Sequence, residues 1–303
     1  MSGFLAKKNC PQIIFVKPRF SRYKEISQKI KAIFFEYSDL VEPLSLDEAY
    51  IDVTENKKGN PSASLIAKEI RDRIYKEIGL RASAGISINK FVAKIASDIN
   101  KPNGQKTIAP EEIEHFLEEL PIEKFFGVGK VTAAKMYNLG IFKGSDLKEK
   151  SENFLTQHFK KSGAHYFKIV RGKEHSLVKP NRKRKSVAAE HTFMKNLTSE
   201  IFMIEKLEKI SEELEQRLIT SKVSGKTITL KIKYSDFKLQ TRSKTLPYFV
   251  KDKAVILEVV KELLYQEKVL NSVRLLGISI SNLNIHKKEK LQNPIDVQLK
   301  FEF

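Results

Sequence analysis

The sequence predicts an α+β, multidomain protein: a mixed α/β N-terminal part, an all-helical middle built around a helix-hairpin-helix, and a C-terminal β-α-β-β-α-β domain. Three observations predict it. Up to about residue 109, apolar residues alternate between helical spacing and short strand-like runs. From Pro110 to about 178, short helical stretches replace the strands. Beyond a basic linker the periods follow the order strand, helix, strand, strand, helix, strand.

Size and composition set the frame. A chain of 303 residues fits two or three domains, and 41% hydrophobic residues are enough for folded cores. No run approaches 18 apolar residues, so a membrane partner is not expected, and Met1 to Pro11 lacks the apolar core of a secretory leader. The lone Cys10 excludes an internal disulfide and a cysteine zinc site, reads as a buried thiol, and fits a reducing, cytoplasmic setting. Lys plus Arg number 55 against 37 Asp plus Glu, a formal +18 that favours a polyanionic partner, most simply nucleic acid.

The elements follow in order. Ile26, Ile30, Ile33, Phe34 and Tyr37 share one face of a helix over 20–37. Two short strands are expected around a tight connection at 45–48, the second at Tyr50 to Thr54. Asn60-Pro61-Ser62 breaks the pattern before an amphipathic helix from Ser64 to Ile78, with Leu65, Ile66, Ile70 and Ile74 on one side. A small-residue strand at 82–88, a helix from Lys90 to Ile99, a turn at Lys101-Pro102-Asn103-Gly104 and a strand at 105–108 complete this part. Pro110-Glu111-Glu112 has the proline and acidic residues of a helix start. Gly127-Val128-Gly129-Lys130 separates two helices, the second closing at Gly140, and two more are expected near 145–160 and 162–171. Lys179 to Lys185 holds five basic residues in seven and reads as a linker. Then come strand 187–194, helix 199–221, strands 226–237 and 239–246, helix 251–266 and strand 272–283. A polar tail from about 285 ends in Val297-Gln298-Leu299-Lys300-Phe301-Glu302-Phe303, whose apolar residues suggest a docking peptide.

Three features bear on chemistry. Asp47 and Glu48 stand side by side in Val41-Glu42-Pro43-Leu44-Ser45-Leu46-Asp47-Glu48-Ala49-Tyr50. Neighbours on a straight strand diverge, but at a hairpin tip both carboxylates can converge on a hard cation such as Mg²⁺. A solvated turn is the plain alternative, although apolar flanks make an unpaired acid pair costly. The two glycines of Gly127-Val128-Gly129-Lys130 let a backbone turn approach a phosphate, with the next helix's amides facing it, or serve as an ordinary tight turn. Lys101, Arg242 and Arg274 are cations on a rigid turn and on strands, suited to phosphates or simply solvated.

These strings resemble the Y-family lesion-bypass (translesion) DNA polymerases, on their bacterial DNA polymerase IV branch. The matching residues are Glu42 to Tyr50, Ser83-Ala84-Gly85-Ile86-Ser87, Phe91 to Asp98, Asn100 to Gly104, Gly127 to Lys130 and Arg184-Lys185-Ser186-Val187, in register along the whole chain. The resemblance implies residues 1–20 as a remnant of the fingers, 21–109 as a partial palm, 110–178 as the thumb, 179–186 as a basic linker, 187–284 as the little-finger domain and 285–303 as a tail. It implies Asp47 and Glu48 as catalytic ligands of two Mg²⁺ ions and Lys101 as the residue holding the incoming dNTP. DNA contacts are implied for Gly127, Val128, Gly129, Lys130, Arg184, Lys185, Arg242 and Arg274. Gln298, Leu299, Phe301 and Phe303 would dock on the sliding clamp. The implied reaction is two-metal phosphoryl transfer to a primer 3′-hydroxyl on primer-template DNA by a cytoplasmic monomer acting in DNA repair.

One departure stands out. The family opens with a palm strand bearing an essential Asp, and Met1 to Ala6 align with its interior, roughly 55 to 60 residues past its usual start by domain size. The expectation is therefore a truncation, from a broken gene or a gene start placed at an internal Met, with the third metal ligand absent. Asp52 lies on the outgoing strand and is not expected to replace it. Two other functions stay open: an inactive fragment that binds primer-template DNA and the clamp, and a nuclease or nucleotide cyclase using the same acid pair.

Overall fold

A computed structural model describes residues 1–269 and 271–286. The chain divides into two compact units, Met1–Arg182 and Lys183–Phe303, and the division falls inside the expected basic linker. Among the described residues no helix is long and apolar enough to cross a membrane.

In the first unit, α1 (Gly3–Asn9) begins at Ser2, whose hydroxyl accepts from the Leu5 amide at 3.2 Å. None of its residues is buried, and Phe4, Ile14, Phe15, Val16 and Phe20 all stand mostly exposed. Helix α2 (Phe20–Phe35) then leads into an antiparallel hairpin, β1 (Val41–Pro43) and β2 (Ala49–Ile51), in register from Val41 opposite Ile51 to Pro43 opposite Ala49. Helix α3 (Ala63–Ile78) is capped by the Ser62 hydroxyl and closed by Gly79. Its stripe Ile66, Ile70 and Ile74 packs on Ile33 and Tyr37 of the preceding helical segment, which gives this part a core of its own.

Strand β3 (Ala84–Ile86) is shorter than the 82–88 run suggests and pairs in parallel with β4 (Gln105–Thr107) across α4 (Lys90–Ile99). Gly85 is required here: a Cβ would lie 1.9 Å from the Ala93 carbonyl oxygen, because β3 runs directly against α4. The other face of α4 buries Phe91, Val92, Ile95 and Ala96 together with residues of the following helices, so the packing has no seam at 109.

Those helices are α5 (Ile113–Glu119), preceded by a 3₁₀ turn at Pro110–Glu112, then α6 (Lys130–Tyr137), α7 (Gly144–Glu149), α8 (Glu152–Phe159) and α9 (Lys161–Ile169). Where the sequence suggests one helix near 145–160 there are two, α7 and α8. The chain breaks at Lys150–Ser151, and the Ser151 hydroxyl starts α8 by accepting from the Phe154 amide.

The second unit has the expected β-α-β-β-α-β order: β5 (Ser186–Leu197), α10 (Glu200–Thr220), β6 (Gly225–Tyr234), β7 (Leu239–Val250), α11 (Lys253–Tyr265) and β8 (Val273–Leu283). The sheet order is β5-β8-β6-β7, all antiparallel. Leu207, Ile210, Leu214 and Leu218 of α10 and Ile256, Val260, Leu263 and Leu264 of α11 cover one face over Ile228, Leu230, Ile232, Leu276, Ile278 and Ile280. The opposite face carries hydroxyls and lysines, with Thr227 bonded to Thr245, Thr229 to Ser243 and Lys231 to Glu190.

Candidate active site and nucleic-acid interface

The chain bends between β1 and β2 because Ser45 holds the bend. Its hydroxyl accepts from the amides of Asp47 (3.2 Å) and Glu48 (3.1 Å) and donates to Asp47 Oδ1 at 2.5 Å. The amides of Leu44 and Ser45 in turn reach the Glu48 carbonyl. Asp47 and Glu48 thus sit at the tip of a hairpin rather than on a straight strand, and both are exposed.

Helix α4 supplies the facing charges. The Lys94 side chain, only 14% exposed, places its ammonium 3.2 Å from Glu48 Oε1 and 3.8 Å from Asp98 Oδ2. Lys101, just past the end of α4, pairs with Asp98. That bond holds the Lys101 ammonium above its usual range, with Glu48 and Asp47 adding to the effect, and ion pairs link Glu48 through Lys94 and Asp98 to Lys101. The same bond holds the Asp98 carboxyl below its usual range. Asp47, Glu48, Lys94, Asp98 and Lys101 therefore form one charged cluster where β1–β2 meets α4.

The donor set suits magnesium, which takes few carboxylates and fills its remaining positions with water and substrate phosphates. Among the described residues no group of three metal-type side chains gathers. Asp52 is not part of the cluster: its carboxylate accepts from the Thr54 amide at 3.0 Å and its own amide bonds Leu40, at the far end of the hairpin from residues 44–48.

In the helix-hairpin-helix, Gly127 has φ +91°, which only glycine adopts freely, and Gly129 precedes α6. No side chain caps α6, which leaves its first amides without intrahelical partners, beside the exposed Lys130. Val128 differs from expectation. It is 8% exposed, its side chain packs into the helical core and its amide donates to the Phe125 carbonyl, so it anchors the turn.

Arg242 is a second correction. At 6% exposure it lies on the helix side of the sheet and donates to the carbonyls of Leu263 (2.8 Å) and Leu264 (2.7 Å), capping the end of α11. The structure thus places this guanidinium against two buried carbonyls and not on the solvated face that the sequence suggests. Arg274 is the extra residue of a register shift, since Val273 pairs with Tyr234 and Leu275 with Lys233, and its guanidinium lies over the exposed Phe237 ring. Arg184 bonds the Ser221 hydroxyl at 2.6 Å, and both it and Lys185 are exposed. Gln298, Leu299, Phe301 and Phe303 lie outside the described residues.

Sequence reasoning missed Lys94 and Asp98. Their i, i+4 spacing was the available signal: it places Lys94 and Asp98 on one face of α4, away from its buried stripe, with Lys101 following just past the helix end. It also missed the hydroxyl face of the second unit, where Thr227, Thr229, Ser243 and Thr245 alternate with core residues.

Comparisons with known proteins agree with this arrangement. The impB/mucB/samB family matches residues 1–98, the C-terminal domain of that family matches 184–294, and the IMS family HHH motif matches 110–141. DNA polymerase IV 2 of Agrobacterium fabrum is 49% identical over 296 residues, covering 97% of this chain and 83% of the relative. DNA polymerase IV of Listeria innocua is 47% identical, covering 92% and 78%. Among solved structures, a Y-family DNA polymerase chimera matches with TM-score 0.81 at 28% identity, covering 93% of this chain and 82% of that one. The insertion ternary complex of Dbh DNA polymerase matches with TM-score 0.61 at 27% identity, covering 92% and 81%. With an acid-pair hairpin facing a lysine-bearing helix, a helix-hairpin-helix, and relatives at this identity over nearly its whole length, the chain belongs to the Y-family DNA polymerases, in their DNA polymerase IV branch.

Proposed function

We propose that the chain adds deoxynucleotides to a primer 3′-hydroxyl at the Asp47–Glu48 hairpin tip, as a translesion polymerase. The observation that carries this is the hairpin tip itself: two adjacent, exposed carboxylates, of which Glu48 pairs with Lys94 in a run of ion pairs that continues through Asp98 to Lys101. Asp47 and Glu48 would hold magnesium, whose chemistry there would be to ease deprotonation of the attacking hydroxyl and to offset charge on the leaving pyrophosphate. Lys101 presents its ammonium to the triphosphate. Lys94, shielded from water, fixes the Glu48 carboxylate and balances its charge.

Each unit carries its own contacts to the duplex backbone: the first the uncapped start of α6 with Lys130, the second Arg184, Lys185 and its hydroxyl-rich sheet face. Arg274 contributes from the edge of that unit. Residues 298–303 serve as the clamp-docking peptide.

A second reading is a protein that binds primer-template DNA and the clamp without adding nucleotides. It is favoured because, among the described residues, no three acidic, histidine or cysteine side chains gather where they could hold a metal ion together. Primer extension with Mg²⁺ and the four dNTPs, run beside DNA binding at two salt concentrations, separates the readings. Extension supports the polymerase; salt-sensitive binding without extension supports the second reading.

A further inference from the structure

The turn that carries Lys101 is held from outside by a residue that touches neither the acid pair nor Lys101. Arg71 of α3 donates Nε to the Ala82 carbonyl (3.0 Å), Nη1 to Gln105 Oε1 (3.0 Å) and Nη2 to the Asn103 carbonyl. Its three acceptors flank the Lys101–Gly104 turn: Ala82 just before β3, Asn103 within the turn, and Gln105 at the start of β4. Gln105 in turn donates Nε2 to the Ser64 carbonyl of α3 at 3.0 Å.

The far side of the turn is closed by α4. Asn100 donates to the Gln105 carbonyl at 2.8 Å, and a Cβ on Gly104 would lie 2.0 Å from the Asn100 carbonyl oxygen. Asn103 has φ +55°, in the left-handed region that asparagine adopts more readily than other side-chain-bearing residues, and its carbonyl is the one that Arg71 holds. A planar guanidinium reaches three acceptors in fixed directions; an ammonium on a flexible stem does not.

We propose that Arg71 is a positioning residue for nucleotide binding: it fixes the Lys101–Gly104 turn and with it the place of the Lys101 ammonium beside Asp98. This rests on the reading of Lys101 as the triphosphate ligand. A purely structural tie of α3 to the sheet would lower stability without acting through Lys101, and the test separates the two.

The experiment measures equilibrium binding of a fluorescent dATP, with Mg²⁺, to the full chain on a dideoxy-terminated primer-template with dT in the templating position. The wild type is compared with Arg71→Met, Arg71→Lys, Lys101→Ala and the Arg71→Met/Lys101→Ala double variant. Arg71→Met and Lys101→Ala should each weaken nucleotide binding about tenfold, the double variant little more than Lys101→Ala alone, and primer-template affinity should not change. Arg71→Lys should recover part of the loss. Wild-type nucleotide affinity in Arg71→Met, or effects that multiply in the double variant, would overturn the role of Arg71. Undiminished binding in Lys101→Ala, or no nucleotide binding by the wild type, would remove the Lys101 reading and this inference with it. Should Arg71→Met fail to fold, amide exchange in Arg71→Lys decides: faster exchange at 103–105 with β6 unchanged supports the proposal, and unchanged exchange there overturns it.

Discussion

Glu48 Oε1 and Lys94 Nζ lie 3.2 Å apart, joining a hairpin tip to the middle of α4 across 46 positions of sequence. Lys94 has few ways to leave this contact, since its side chain is largely buried and its ammonium also lies near Asp98 and the Phe126 ring. The contact fixes one carboxylate of the pair while leaving both exposed to a ligand. Replacing Lys94 by Met keeps the bulk and removes the charge. Single-nucleotide incorporation should fall by about one to two orders of magnitude while primer-template affinity is preserved. Wild-type incorporation by Lys94→Met would remove Lys94 from the site.

Arg242 gives a prediction of the opposite kind. Its guanidinium satisfies two buried carbonyls at the end of α11, so Arg242→Met should destabilise the second unit by about 2–3 kcal/mol. The salt slope of DNA binding should stay the same, because no phosphate contact is lost. Denaturant melts and binding isotherms on the same variant check both halves. A reduced salt slope without loss of stability would restore Arg242 to the DNA surface.

Lys160 sits between α8 and α9 at φ +54°, ψ −132°, a conformation open to glycine and strained for lysine. Lys160→Gly should raise stability by about 1 kcal/mol, strain relief outweighing the added freedom of the unfolded chain. A thermal melt should show a rise of a few degrees. A lower melting point would mean that the lysine side chain holds the turn.

Tyr50 is half-buried on β2, and burial, with smaller contributions from Glu42, Glu48 and Glu174, pushes its phenol up to about 12. A folded-state value above the ordinary value of about 10 contributes stability that is complete below pH 10 and lost as pH rises through about 12. Relative to Tyr50→Phe, the wild type should therefore lose stability between pH 10 and 12 and not between pH 7 and 9. A constant difference across that span would contradict the burial of the phenol.

Much of this architecture was legible in the residues, for physical reasons that differ by element. Ile66, Ile70 and Ile74 announce α3 because a helix buries every third or fourth residue, and Ser62 marks its start. Asp47 and Glu48 were legible because adjacent acids between apolar residues are costly unless a bend brings them to one site. Arg242 was misread because β7 is an edge strand whose helix-side positions include Gln240, Arg242 and Lys244, so its alternation does not reveal which face is buried. Lys94 was passed over because α4 is recognised by its apolar stripe, and a lysine on the opposite face looks solvated until the hairpin is seen to fold onto it. The split of α7 from α8 turns on the Ser151 cap, a signal weaker than the helical period running through it.

In the proposed reaction the acid pair at the hairpin tip performs nucleotide addition. Rapid-quench incorporation of one correct dNTP into a primer-template, in Mg²⁺, by the wild type and by Asp47→Ala tests it most directly. The expected result is measurable incorporation by the wild type that falls by at least about three orders of magnitude in Asp47→Ala, with both proteins binding the primer-template equally well. Incorporation by Asp47→Ala at the wild-type rate, or none by either protein, would contradict it.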